Sequence, residues 1–559
     1  MKIIREPDQA YDILKKENLI SLDIETDGLK PKRSEVYVIS MAGERDRTPV
    51  VLQPKLNAKG LEVVKELARD SDKTWLTHNG TGFDLLFLRH LGIRFPRQYD
   101  TLIGEQVLSV QGRHDISKSL SATMKRRIGK SHKTEIDHST WRVANLSEEQ
   151  LEYVANDVIW LHDIKTVQER LARERGLHVA LAKEQALSTI IVEISNNGMA
   201  VDINVLHEVR EEMLDAVAAA ADRLKSKFGP TFNVMSPKQV KEGLHSVGIP
   251  VADTSKGTLL ALPNPEVKDV LAVRKARKRN SLISATWEEE HVTDGRVSCR
   301  YWQVGTESVR FSCSDPNMQQ IPREMRKIFG NEDGKKVVQA DWAQLEIRIA
   351  AHYTKDDTLL DAVLAGDVHD EAARILYHLD SPNSVERRDA KGFVFTWLYA
   401  GWIQGIMASA TLAGRVVATE DAENYLRYMA QRFPKVGVFH NRAQALIAQR
   451  RQVVPIHLPW GHQRQLLRRA QSPQKLVNTL IQGTAAVGMK ESLFEADKRG
   501  LIKYMGGVIH DEFVCTSVPA NEAEELGKGL TEAMIVGMEK VCDTVPIAVD
   551  VDIVDAWKP

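Results

Sequence analysis

At 559 residues the chain is too long for one hydrophobic core, and its length allows three or four lobes. Hydrophobic residues make up 43% and charged residues 27%, the balance of an ordinary soluble globular protein, with a formal net charge of −1. No apolar run reaches the roughly 18 residues of a membrane span, no signal or transit pattern opens the chain, and the four cysteines contain no CxxC pair, which speaks against zinc and a disulfide framework.

Residues 19–26 (LISLDIET) are predicted to form a strand ending in acids, with 36–42 as its hairpin partner. Helical patterns follow at 60–70, 82–91 and 147–173, and this α/β stretch closes near residue 175. Asp23 and Glu25, two apart in a strand, project from one face, where they can bind one metal ion and share a second. Residues 79–84 (NGTGFD) add a third carboxylate, Asp84, at a helix start, and 153–157 (YVAND) a fourth, Asp157, on a helix. The spacing of four puts Tyr153 and Asp157 on one helical face, so the phenol can hold an attacking water while the acid holds a metal ion. Each motif alone is common by chance; the three in order are not.

Residues 176–227 read as consecutive helices, punctuated afterwards by Gly229-Pro230 and Ser236-Pro237. The segment 251–264 is polar and loop-like, and a basic helix follows at 266–282, where five of the six residues 274–279 are cationic. From Gly506 onward, acids outnumber bases eleven to three. A near-neutral total therefore does not argue against nucleic acid, whose phosphates respond to local basic stripes. Beyond 290 the pattern turns to short strands and loops. Residues 337–341 are predicted as a buried strand with a helix running on from 342, 366–489 as mostly helical, 507–515 as a hairpin and 546–553 as a last strand.

Asp341 ends the buried strand, and Asp511 and Glu512 follow His510 at the hairpin turn, so carboxylates distant in sequence can converge on one sheet. Between them Arg387, Lys391, Phe395 and Tyr399 recur every four residues, a helical stripe of roughly 18 Å. Taken alone, the stripe is better explained as an amphipathic helix with a solvated basic end. Beside the acidic motifs it matches a nucleoside triphosphate laid along the helix, phosphates on the cations and base toward the rings. Two separated carboxylate sets suit two pairs of divalent ions, a standard device for making and breaking phosphodiesters.

The motifs DIET, NGTGFD and YVAND resemble those of the DEDD-type 3′–5′ exonucleases in their tyrosine variant. The segments around Asp341, around 387–401 and at 510–512 resemble motifs A, B and C of the family A DNA polymerases, the bacterial polymerase I group with its phage and organellar relatives. Residues 232–239, 254–258, 306–322, 367–369 and 478–484 match further positions of that family in order and spacing, so the resemblance covers nearly the whole chain. It implies an RNase H-like α/β exonuclease domain over 1–175 and an α+β right-hand polymerase domain over 176–559. Within the latter it implies a thumb at about 203–300, a palm at about 176–202, 301–365 and 490–559, and fingers at about 366–489.

By the same resemblance, Asp341 and Asp511 hold two metal ions with Glu512 assisting, and Asp23, Glu25, Asp84 and Asp157 hold another two beside Tyr153. Mg²⁺ is the expected ion, and Mn²⁺ also fits hard oxygen ligands. Arg387, Lys391 and His369 would bind triphosphate oxygens as fixed cations, Gln344, Phe395 and Tyr399 would complete the nucleotide site, and Glu346 would crowd the sugar 2′ position. Arg310, Gln482, His510 and Asn478 would touch the minor groove or primer terminus. Lys256, Arg274 and Lys275 would line duplex phosphates, a salt-sensitive and sequence-independent contribution. The expected partners are primer–template DNA, dNTPs and accessory replication proteins, for a cytoplasmic monomer without membrane contact.

Several positions depart from the family pattern. Ser308 and Val309 replace a usual Thr-Gly, Trp342 a usual tyrosine, and Leu480 a usual proline, while Thr396 and Ala400 stand where glycine is common. None removes a catalytic group; Thr396 and Ala400 are expected to stiffen the helix and add bulk near the nascent pair. Nothing precedes the exonuclease, so a 5′-nuclease domain is expected to be missing, and the compact thumb suits a phage or prophage replicative enzyme. Three other readings stay open: a nuclease on a DNA-gripping body, a single-subunit RNA polymerase (opposed by Glu346, Phe395 and the fused exonuclease), and a non-catalytic scaffold.

Overall fold

The computed structural model describes residues 2–109, 116–130, 138–260, 262–366, 368–412 and 417–558. Strand β1 (Leu19–Thr26) is buried along nearly its whole length, as a strand covered on both faces must be. It pairs antiparallel with β2 (Val36–Gly43), which carries β3 (Val50–Leu52), and parallel with β4 (Thr74–Thr77), which carries β5 (Gln98–Asp100). The sheet order is thus β3-β2-β1-β4-β5. Helix α1 (Asp84–His90) begins at the third motif acid, and α2 (Glu148–Ile159) carries the fourth. The helix expected over 147–173 is two helices, separated at Trp160.

Helix α3 (His178–Asn197) is buried from both sides. Its Val192 joins the core that contains Ile20, Leu22 and Leu85, while Leu187, Ile191 and Ile194 join a second core that runs on to Val338 and Phe513. Glu184 of α3 is wholly buried and accepts hydrogen bonds from Lys490 Nζ, His462 Nε2 (2.9 Å) and Gln303 Nε2 (2.8 Å). The helices Ile203–Phe228 and Pro265–Asn280 close over a separate core of Val240, Leu244, Val267 and Val270. Within the predicted loop 251–264 lies a short helix, Lys256–Leu260.

A second sheet has the order β7-β8-β6-β9, from β6 (Lys335–Trp342), β7 (Met505–Ile509), β8 (Glu512–Pro519) and β9 (Val549–Val554), all antiparallel. The helix expected from 342 starts at Leu345, because Gln344 takes a left-handed conformation (φ +51°) that turns the chain off the strand. Helix α4 (Ser384–Leu398) carries the cation–aromatic stripe and is opened by a capping box between Asn383 and Glu386. A hairpin, Val453–His457 with Gln463–Leu467, interrupts the region expected to be mostly helical. Helix α5 (Pro473–Lys498) packs on the unpredicted helix Ala523–Glu539, where a side chain at Gly537 would lie 2.3 Å from the Ser492 backbone nitrogen. Among the described residues no helix is long and apolar enough to cross a membrane.

Candidate active sites

At the first centre, β1 presents Asp23 and Glu25, and α2 brings Asp157 beside them. One carboxylate oxygen from each of the three lies within 4.8 Å of the others. Asp84 meets them from α1, its Oδ1 accepting the Ile24 backbone N–H at 3.0 Å. The loop before α1 is fixed by a residue the motif reading missed. Buried Asp100 accepts the N–H groups of Asn79 (2.8 Å) and Thr81 (3.1 Å), and its own backbone is clasped by Gln185 of α3. Gly80 is required there, since a Cβ would sit 2.3 Å from Thr77 Oγ1.

Burial, then repulsion from Asp84 and Asp157, pushes the Asp23 carboxyl well up. Glu25 rises to about 9 through burial and then Asp157 and Asp84, and burial lifts Asp84 to about 7. Burial and then Asp157 also raise the Tyr153 phenol, so its hydroxyl keeps its proton at neutral pH and can donate. Crowded hard oxygens of this kind fit a divalent cation, which would relieve their mutual repulsion. In the metal-free folded chain these acids retain protons that the unfolded chain releases near pH 4, so stability falls as pH rises toward 9, and cation binding reverses the loss. Mg²⁺ is therefore expected to raise Tm more at pH 8 than at pH 6 in scanning fluorimetry; equal shifts would break the link.

At the second centre, Asp341 faces Glu512 across the β6–β8 pairing. His510 and Asp511 form the two-residue turn between β7 and β8, with exposed His510 at φ +56°. That conformation is rare outside glycine, and strain of this sort collects at functional sites. The Asp341 side chain opens to the cleft, yet burial, then Asp511 and Glu512, raises its carboxyl to about 7, while Lys391 of α4 opposes the rise. Glu512 is anchored on both oxygens, by Trp557 Nε1 (2.9 Å) and Arg326 (3.2 Å), and the Arg326 guanidinium lies 4.1 Å over the Trp557 ring. Neither partner carried a sequence signal.

Arg310 donates to Glu346 at 2.8 Å and stands 3.7 Å from Asp511. Tyr399 donates its hydroxyl to the other Glu346 oxygen, and Gln482 Nε2 lies 3.5 Å from that hydroxyl. The structure thus brings Arg310, Glu346, Tyr399, Gln482 and Asp511 together. Asn478 lies one turn before Gln482 on α5. The Phe395 and Tyr399 rings stack at 6.3 Å, and Lys391 sits 5.7 Å from the Phe395 ring. Arg387 is paired with Asp370 at 3.1 Å, so a phosphate must compete for it. Gln344 Oε1 is buried without a hydrogen-bond partner.

Two expectations need correction. His369 is not a fixed cation: burial, then Lys391 and Arg387, brings its pKa to about 4, so at neutral pH it offers a neutral imidazole. Arg274 does not present its guanidinium to DNA. It is spent on Val234 O (2.9 Å), Thr254 O (2.6 Å) and Thr254 Oγ1 (3.3 Å), whereas Lys256 and Lys275, the other two cations expected on DNA, are exposed. Trp342, one of the departures from the family pattern, is buried, packs 5.4 Å from Phe513 and donates to Met534 O. The family match at Asp367 lies outside the described residues.

At two of the departures, Val309 and Ala400, the chain adopts φ +55°, the left-handed conformation that suits glycine, at a cost of about 1–2 kcal/mol each. Thr396 Oγ1 bonds Gly392 O (2.8 Å) and meets Ser409 Oγ (2.9 Å), tying α4 to the next helix, Ile403–Leu412.

A family model described as DNA polymerase family A matches residues 203–559, and one described as 3′–5′ exonuclease matches 1–171. The chain is 28% identical to DNA polymerase I of Aquifex aeolicus, over 98% of this chain and 97% of that protein. It is 26% identical to DNA polymerase I of Chloroflexus aurantiacus over 99% of this chain, but spans only 63% of that longer protein. Among solved structures, the POL domain of Pol1 from M. smegmatis, in complex with DNA primer-template and dNTP, superimposes with a TM-score of 0.81 at 20% identity, covering 100% of this chain and 99% of that one. The latter likeness is one of fold.

Proposed function

The chain belongs to the family A DNA polymerases and carries a 3′–5′ exonuclease domain ahead of the polymerase domain, and on that premise we propose that it extends DNA primers along a template from dNTPs and trims their 3′ ends. The observation that carries this reading is the presence of two separate acidic centres, each with its own accessory groups. Asp23, Glu25, Asp84 and Asp157 would hold one pair of Mg²⁺ ions, and Asp341 and Asp511 another. Bound divalent ions activate the attacking oxygen and neutralise charge on the leaving group.

The protein groups have distinct tasks. Tyr153, protonated at neutral pH, orients the water that attacks the terminal phosphodiester. On the polymerase side, Lys391 and Arg387 neutralise triphosphate oxygens, and fixed cations of this kind lower the barrier for the charged transition state. Glu346, held by Arg310 and Tyr399 together, cannot swing aside, so it walls off the sugar 2′ position and selects deoxyribonucleotides. Arg310, placed between Glu346 and Asp511, reaches the primer terminus and minor groove, whose acceptors are nearly the same for every base pair. Lys256 and Lys275 contact duplex phosphates from a thumb spanning about 203–300. The relatives matched are bacterial DNA polymerase I proteins, and they lend no support to a phage or prophage role.

The test is a 5′-labelled primer on a longer template with Mg²⁺. Shortening is expected without dNTPs and extension with them. Asp23→Ala should slow shortening by about 10³-fold and leave extension intact. Shortening under every condition, with no extension, would make the protein a nuclease on a silent polymerase fold.

A further inference from the structure

We propose that the crevice between the 29–33 loop of the exonuclease lobe and the segment 290–300 at the base of the thumb binds a nucleoside monophosphate, at a site separate from both acidic centres. It is a cavity of about 170 Å³. One wall is the loop that follows β1, together with Leu86 and His90 of α1; the other is the chain leaving the thumb. Leu86 and His90, four apart, share one side of α1, while Asp84 at its start turns to the Ile24 backbone.

The walls are cationic. Lys32, Arg296 and Arg300 line the crevice, with Lys30 and Arg33 at its edge, against Glu290 and Asp315, both exposed. Arg296 is immobilised by Asn197 O (2.7 Å), Gly198 O (2.9 Å) and Ser517 Oγ (2.6 Å), and Arg300 by Leu29 O (2.6 Å). Lys32 is half-buried beside Arg296 and makes no hydrogen bond or ion pair among the described residues. Burial and then Arg296 lower its pKa, and Asp294 offsets them only in part.

Two further groups point to a ligand. Ser195 and Ser298 line the same cavity, the Oγ atoms of both are buried without a hydrogen-bond partner, and Ser195 is only 3% exposed. Buried polar groups are normally satisfied, so unpaired hydroxyls in a cationic crevice suit an oxygen-rich anion. Leu86, Cys299 and Pro31 supply an apolar surface next to these donors, a pairing that suits a base and sugar joined to a phosphate better than a bare ion.

The choice of nucleotide rests on the exonuclease reading, because removal of a 3′ residue releases a nucleoside monophosphate beside this loop. The loop itself is clipped to the thumb base: Arg33 donates to Thr293 Oγ1 (2.9 Å), and Arg33 and Lys30 donate to the carbonyls of Glu289, Val292 and Glu290. An occupant gripping both walls would reinforce that clip.

The experiment is calorimetric titration of the full chain with dAMP, deoxyadenosine or inorganic phosphate, in EDTA so that neither metal-dependent centre contributes and no turnover is needed. We expect dAMP to bind, with deoxyadenosine and inorganic phosphate each weaker by about tenfold or more. Lys32→Glu should weaken dAMP by at least about tenfold with Tm unchanged, and Lys391→Ala should leave dAMP affinity as it was. No binding of dAMP, equal affinity in Lys32→Glu, loss confined to Lys391→Ala, or phosphate binding as tightly as dAMP would each overturn the proposal. None of these outcomes touches the exonuclease reading, which the primer assay tests by itself.

Discussion

Asp341→Asn is expected to lower primer extension by about 10³-fold or more while leaving 3′ trimming at its original rate. The substitution keeps the shape of the side chain and removes its charge. In the native chain that charge is costly: the carboxyl sits against Asp511 and Glu512 and is raised to about 7 by burial and by those two neighbours. Neutralising it relieves repulsion, so the variant should be at least as stable as the parent, and lost activity cannot then be blamed on unfolding. Single-turnover extension on a matched primer, read beside a thermal melt, separates the two effects. A rate within tenfold of the parent, with Tm unchanged, would show that Asp341 does not hold the reacting centre together.

Glu184→Gln should destabilise the whole molecule by about 3–5 kcal/mol, the cost of leaving a buried charge without its partner. Glu184 and Lys490 are each fully buried, and Glu184 also receives His462 and Gln303. Burial alone would push the Glu184 carboxyl up, but Lys490 and His462 outweigh it and bring it down to about 2. Burial draws Lys490 the other way, toward losing its proton, and Glu184 partly holds it charged. With a depressed carboxyl, the Glu184 contribution is complete above the unfolded value near 4.3 and is lost as pH falls toward 2. Urea unfolding at neutral pH gives the loss directly, and the variant should also lose part of the acid limb of the stability profile. Adding Lys490→Met should recover much of the deficit, because a matched apolar exchange removes the orphaned charge. A loss under about 1 kcal/mol for Glu184→Gln alone would mean the network is relaxed by solvent.

The groups legible in the sequence were those whose chemistry demands a given side chain at a fixed interval. DIET, the YVAND helix and the four-residue stripe of α4 all satisfy that condition. Asp100, Arg326, Trp557 and Glu184 do not, because their roles come from partners distant in the chain, such as Trp557 on Glu512. Strands β3 and β5 have three residues each, too few to show alternation, whereas the 453–467 hairpin carried a readable turn in Pro459-Trp460-Gly461. Arg274 was also readable in hindsight. It follows Val270 by one turn of helix, and Val267, Val270 and Val273 form the buried face, so its stem had to start inward. The basic composition of the stretch hid that periodicity. Val309 and Ala400 show the reverse: the residue changed from the family's usual type, but the backbone held to the conformation glycine would have chosen.

Helix α3 sets a limit on how the gene can be rearranged. It supplies Val192 to the interior of the trimming lobe, Gln185 to the clasp on Asp100, and Glu184 to the heart of the synthetic lobe. A cut at residue 175 would part the two catalytic halves on paper while stripping one of them of a wall. Recombination that exchanges either half between lineages must therefore carry this helix along and adapt it to two hosts at once. Proofreading and synthesis are bound to evolve as a single inheritance here, with amino-acid changes in α3 answerable to both.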